Sequence, residues 1–222
     1  MNSRTLPAAL VVALMVALSV WAWPQAPDVI ATHWGADGRP DGFGSKALGL
    51  LLLPVITAGL AVMFEVIPAV DPAQENFTQM RGAYSATRMA TLSLLAVMHA
   101  GAVATAVGRP VDMAMITGVG AGGLYLVLGA VMGKIRPNYL FGVRTPWTLA
   151  SKLAWTRTHR VCGAYMMALG AGVIGVAAWA PERAMTLLIA GSLGLVALSM
   201  GYSYRVWSID PDRTTPGQVK PA

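Results

Sequence analysis

Gly133-Lys134-Ile135-Arg136-Pro137-Asn138-Tyr139-Leu140-Phe141-Gly142-Val143-Arg144-Thr145-Pro146-Trp147-Thr148-Leu149 is a dense run of cations, prolines and aromatics between two long apolar segments. The segment before it, Met113 to Met132, carries no charged residue, and the one after it, Val161 to Ala180, carries none either. An uncharged apolar run of about 20 residues is the length that crosses a bilayer as a helix. The composition agrees: of 222 residues 55% are hydrophobic and only 12% charged, about half the charged share of a soluble domain. Lipid is therefore the solvent for most of this chain, and backbone polar groups must satisfy one another inside helices. The expected fold is all-α, a polytopic membrane helix bundle of about six spans.

Working outward from the loop, the sequence divides as follows. Residues 1–23 hold a first apolar helix, read as a retained anchor because Ala17-Leu18-Ser19 is a poor cleavage site followed by Trp21 and Trp23. Residues 24–46 form a polar connector, extended at Val29 to Trp34 and turned at Asp37-Gly38 and Asp41-Gly42, with Ser45 placed to cap the next helix. Residues 47–132 carry spans two to four: Ala47 to Ile67, kinked at Pro54 and stopped by Pro68; Ala86 to Val107; and Met113 to Met132. Residues 133–160 are the central loop, within which Thr148 to Thr158 reads as a short helix lying on the membrane surface, Leu149 and Leu153 sharing a face. Residues 161–204 hold spans five and six, and 205–222 read as a disordered polar tail. Gly118-x-x-x-Gly122 and Gly129-x-x-x-Gly133 are spacings that let two helix backbones approach closely.

Charge sets the orientation. Six spans put both termini on one side. Of the 16 lysines and arginines, roughly 12 then fall on that side and roughly 4 on the other, an asymmetry that by the positive-inside rule places termini and central loop in the cytoplasm. The net charge of +6 is thus accounted for by loops, and direct nucleic-acid binding is not expected. The lone cysteine, Cys162, excludes an internal disulfide or a cysteine-based zinc site.

Three groups of residues could carry chemistry. In the central loop, six cations face anionic headgroups or a soluble partner, while Pro137-Asn138 and Gly142-x-Arg144-Thr145-Pro146-Trp147-Thr148 order turn formers and donors into a shaped loop. In the outer connector, His33, Asp37 and Asp41 offer an imidazole and carboxylates, but one histidine without cysteine has no diagnostic metal spacing, and the ordinary reading is a polar turn. Among intramembrane groups, His99 is the deepest ionisable residue: a helix-to-helix hydrogen bond is its ordinary role, and a proton relay or ligand contact its functional one. Glu65 or Asp71 is expected to pair with a central-loop cation such as Arg144, since a buried carboxylate needs a partner. Nucleophile elbows, HExxH and phosphate-binding glycine loops are missing from the sequence, so no catalytic residue, metal or cofactor is expected.

The loop also resembles a known family. Lys134-x-x-Pro137-Asn138, then Gly142-Val143-Arg144-Thr145-Pro146-Trp147-Thr148-Leu149, then Trp155 and Thr158-His159-Arg160, is similar to the signature of the SdpI family. Upstream, Pro27-Asp28, His33-Trp34, Gly38-x-Pro40-Asp41 and Ser45-Lys46 resemble the domain of unknown function that precedes that signature, and Asp71-Pro72, Asn76 and Tyr84 sit where the family places such residues. The resemblance implies a polytopic protein of the bacterial inner membrane that gives immunity to a secreted peptide toxin, bound from outside near the His33 connector, and that holds a cytoplasmic repressor at the central loop. Two other readings stand beside it: a small transporter or lipid-handling protein binding an anionic ligand at the basic loop, and a membrane enzyme using His33, His99 or His159.

Overall fold

The structure is a computed structural model and describes residues 5–217. Seven of the elements form one end-to-end bundle: α1 (Leu6–Ala22), α2 (Lys46–Val70), α3 (Gln74–Gln79), α4 (Arg81–Ala106), α5 (Met113–Met132), α7 (Lys152–Ala177) and α8 (Pro181–Ser208). A four-residue helix, α6 (Pro146–Leu149), lies in the central loop, and a two-stranded antiparallel sheet, β1 (Val29–Trp34) with β2 (Pro40–Ser45), occupies the connector. The architecture is thus mostly helical, with the hairpin as its only sheet among the described residues. Five helices, α2, α4, α5, α7 and α8, are long and apolar enough to cross a membrane. The first is apolar but has 17 residues, about 25 Å, short of a hydrocarbon core of about 30 Å.

The antiparallel pair α5 and α7 is the centre of the bundle, with α8 against both, α4 on the other side of α5, and α1 and α2 packed on α4. Small residues make the central pair possible. A Cβ placed on Gly129 would stand 2.6 Å from the Gly163 carbonyl oxygen, and one on Gly170 would stand 2.6 Å from that of Gly122. In lipid no hydrophobic force draws helices together, so close backbone approach and dispersion carry the contact.

Helix α2 runs through both of its prolines, Pro54 and Pro68, and ends at Val70; the stop expected at Pro68 does not occur. Each proline lacks the N–H that would bond the carbonyl four residues earlier. Both orphaned carbonyls are taken by a neighbouring helix: Leu50 O accepts the Ser19 hydroxyl of α1 at 2.6 Å, and Phe64 O accepts the Tyr84 hydroxyl of α4 at 2.7 Å. His99 Nε2 lies 3.0 Å from the same Ser19 oxygen, so this buried histidine joins α4 to the α1–α2 junction. The two prolines therefore do not break the helix; they recruit its partners.

Three sequence boundaries change. Lys152 to Thr158 is not a separate surface helix but the opening of α7, because Ser151 caps that helix by accepting the Ala154 N–H at 2.8 Å. The stretch between spans two and three contains α3. The tail, expected to lack structure from Arg205, continues α8 to Ser208 and then folds back: Thr214 N–H donates to Ala150 O at 2.9 Å, and Trp207 Nε1 to Thr214 O at 3.0 Å. Arg4 and Lys220, counted in the charge asymmetry, lie outside the described residues.

Candidate functional site

Topology brings the ends of α2, α5 and α8 and the starts of α4 and α7 to one face of the bundle, around the 133–151 loop. What holds that loop is a set of buried polar side chains bonded to backbone. Asp71 is fully buried just past α2. Its Oδ2 accepts the N–H groups of Tyr139 and Leu140, each at 2.9 Å, and its Oδ1 accepts that of Ala73 at 2.8 Å. Three amide donors on one carboxylate replace its water shell. Asn138 folds the chain on itself, donating to Arg136 O at 2.8 Å and accepting the Phe141 N–H at 2.6 Å. Asn76, on α3, donates to Pro137 O at 2.7 Å.

The second half of the loop rests on α7. Trp155, on the first turn, is buried and donates Nε1–H to Ile135 O at 2.9 Å. Its ring stacks on His159 at 4.2 Å between centroids. His159 Nδ1 is 2.8 Å from Trp155 O, and its Nε2 is 3.1 Å from the Val143 N–H. A carbonyl only accepts, so Nδ1 carries the proton and Nε2 presents its lone pair: His159 is a neutral imidazole bridging helix and loop. Gly142 passes directly over it. With φ at +101° and a Cβ position 2.7 Å from Nε2, this residue has both a left-handed backbone and no room for a side chain.

Thr145 opens α6 with a capping box. Thr145 Oγ1 accepts the Thr148 N–H at 3.1 Å and Thr148 Oγ1 accepts the Thr145 N–H at 2.9 Å, with Pro146 in the first turn, where its missing N–H costs nothing. Thr145 Oγ1 then donates to Ser203 Oγ of α8 at 2.9 Å. Trp147 meets Tyr204 edge to face at 5.2 Å. Ser151 donates to the buried carboxylate of Asp210, a short bond that pins the end of α8 to the start of α7.

The cations are arranged differently. Lys134, Arg136, Arg144, Lys152, Arg157 and Arg160 are all exposed, and among the described residues none is in an ion pair. The Arg144 guanidinium donates one N–H, from Nη1, to Tyr139 O at 2.7 Å, which orients it at the surface with its other donors unspent on ion pairs. The pairing expected between Glu65 or Asp71 and Arg144 is not found. Glu65 pairs with Arg88 of α4, one helix away at the same depth, and Asp71 is satisfied by backbone amides. Sequence spacing could not place Arg88 opposite Glu65, because the α2–α4 rotation is set by the proline contacts. Ser151, Ser203 and Asp210 were likewise outside the sequence reading; the turn-forming Asp210-Pro211-Asp212 was the available signal.

At the opposite end, the hairpin pairs Val29 with Ser45 and His33 with Gly42, with irregularities on either side of His33. His33 Nδ1 lies 2.5 Å from Asp41 Oδ1, both exposed. Asp37 accepts the Arg39 N–H of its own loop at 3.1 Å, and among the described residues these three do not form a group that could hold a metal ion. Gly38, at φ +74°, seats the tip against Ala114 at the start of α5. Trp34 is half-buried and Pro40 exposed. Lys46 bonds Asp28 at 3.0 Å and lies over the Trp23 ring at 5.8 Å.

Comparison with known proteins follows the same division. Residues 134–203 match the SdpI/YfhL protein family, and residues 10–58 match DUF1648, a domain of unknown function. The chain is 23% identical over 198 residues to the immunity protein SdpI of Bacillus subtilis (strain 168), an alignment covering 89% of this chain and 93% of that relative. No solved structure matches the chain. The resemblance read from the central loop is thereby borne out: this is a multi-pass membrane protein with a segment that matches the SdpI/YfhL family model behind one that matches DUF1648.

Proposed function

We propose that the chain is an SdpI-like immunity protein of a bacterial inner membrane, protecting its cell from a secreted peptide toxin. The observation that carries this reading is the alignment with a protein named for immunity, which runs through the hairpin, the bundle and the central loop. In this reading both termini and the central loop are cytoplasmic, and the exposed hairpin, with His33, Trp34, Asp41 and Lys46, is the outward face that meets the toxin. The loop cations and Trp147 meet the inner-leaflet headgroups and, when toxin is bound, a soluble repressor. The geometry supports a division of labour: Asp71, Asn138, Thr145, Thr148, Trp155 and His159 are committed to holding the loop, which leaves the exposed Lys134, Arg144 and Arg160 as the groups available to a partner.

The test is survival. Expression in a strain sensitive to a pore-forming secreted peptide restores growth, and Arg144→Ala abolishes that protection while the protein accumulates normally. Growth that is equally protected with Arg144→Ala, or no protection by the parent, overturns the reading. Orientation is checked with Lys152→Cys, expected to react with a membrane-impermeant thiol reagent only after the cytoplasm is opened.

A further inference from the structure

A cavity of about 760 Å³ lies where the end of α2, α3 and the start of α4 meet, beside Pro7 of α1. It is separate from the exposed cations of the central loop. Its size falls in the range of small-molecule sites, about 300–1,000 Å³, and its lining has two halves. One is apolar, built on Phe64 and Phe77; the other carries Arg81, Arg88, Glu65 and Ser85. The Arg88 side chain is 8% exposed and held by Glu65. Arg81 is exposed and in no ion pair among the described residues. Two guanidiniums against one carboxylate leave the polar half positive.

Depth narrows the ligand. Helix α2 has 25 residues, about 37 Å, which exceeds a hydrocarbon core of about 30 Å and carries its last turns into the headgroup layer. Glu65 lies in those turns, and Arg81 begins α4 beside them. An unspent cation at headgroup depth, next to the Phe64 and Phe77 rings and to Met89, which lies about two turns further along α4, suits a molecule that is anionic at one end and apolar at the other.

We propose that this cavity binds a phosphate-bearing amphiphile, an anionic phospholipid whose phosphate contacts Arg81 and whose acyl chain lies along Phe64 and Phe77. Glu65 is the internal anion that competes with the ligand for Arg88. The site is independent of the immunity reading and stands or falls without it.

The full chain in neutral detergent is tested with phosphatidylglycerol, phosphatidylcholine and inorganic phosphate, reading bound lipid by native mass spectrometry and the unfolding midpoint by tryptophan fluorescence. Phosphatidylglycerol is expected to stay bound and to raise the midpoint, and the other two are not. Arg81→Gln, a surface change, lowers phosphatidylglycerol affinity about fivefold, the factor for about 1 kcal/mol per arginine at a membrane surface. Glu65→Gln raises that affinity severalfold, which damage to the fold cannot imitate; if that variant does not fold, Arg81→Gln decides alone. Equal binding of both lipids, the same stabilisation by phosphate alone, unchanged binding by Arg81→Gln, or a loss seen with Arg144→Gln in its place overturns the proposal.

Discussion

The two ends of this bundle use polar residues in opposite ways. At the loop end the uncharged polar and acidic side chains of the motif are inside: Asp71 and His159 are buried and bonded to backbone, and Asn138 and Thr145 are buried beside them. At the hairpin end the corresponding acidic and imidazole groups are outside, with His33 73% and Asp41 54% exposed. A motif that looks like a ligand set is therefore architecture at one end and surface at the other. At the loop end the groups free to bind are the motif's own exposed cations, Lys134, Arg144 and Arg160.

That contrast predicts unequal costs, and the largest falls on Asp71. Removing the carboxylate in Asp71→Ala strands three backbone N–H groups, each bond to a charged acceptor contributing about 1.5–3 kcal/mol. Partial rehydration from the headgroup side reduces the total, and a loss of about 3 kcal/mol or more is expected. It is read as a lower unfolding midpoint by tryptophan fluorescence, since Trp155 reports on the same loop. Asp71→Asn retains one acceptor and falls between. An Asp71→Ala variant as stable as the parent breaks the comparison, because the loop would then be held by something other than its buried polar contacts.

Next comes Gly142. An alanine there adopts a left-handed backbone at about 1–2 kcal/mol and drives its Cβ into His159 Nε2, 2.7 Å away, for a total of about 2 kcal/mol. Gly133 is the control in the same loop: its φ is −68° and a Cβ would meet only Arg160 Cγ at 3.4 Å, so Gly133→Ala should stay within about 0.5 kcal/mol. Comparable effects at the two glycines would mean that the Gly142–His159 contact does not position the loop.

The helices were legible in sequence because each is an apolar run closed by a cap or a breaker: Met113 to Met132 falls where expected, and Ser45 caps α2 through Leu48 N–H. The loop was legible as shaped, since Pro137-Asn138 and the threonine pair around Pro146-Trp147 are turn chemistry. Partner choice was not. Whether Glu65 meets Arg144 or Arg88 depends on helix rotation, which two hydroxyls on other helices set by capping the carbonyls orphaned at Pro54 and Pro68. A proline marks the orphan in sequence, but nothing local names Ser19 or Tyr84 as the donor. The folded-back tail was hidden for the same reason: polar composition around Arg205 to Gly217 suggests disorder, whereas Asp210 and Thr214 are ordered by Ser151 and Ala150, about 60 residues away in sequence.

The smallest effect is expected at the hairpin, and it sharpens the comparison most. The His33–Asp41 pair is short, at 2.5 Å, but both partners face water. Solvent screens such a pair, and a double-mutant cycle with His33→Ala and Asp41→Ala should return a coupling below about 1 kcal/mol, with the unfolding midpoint hardly moved. If the hairpin is the outward binding face, the same single changes reduce protection against the toxin while stability stays constant, the reverse of the pattern at Asp71. A coupling well above that value would mean the hairpin is held by its polar residues just as the loop is, and the two ends would no longer differ in kind.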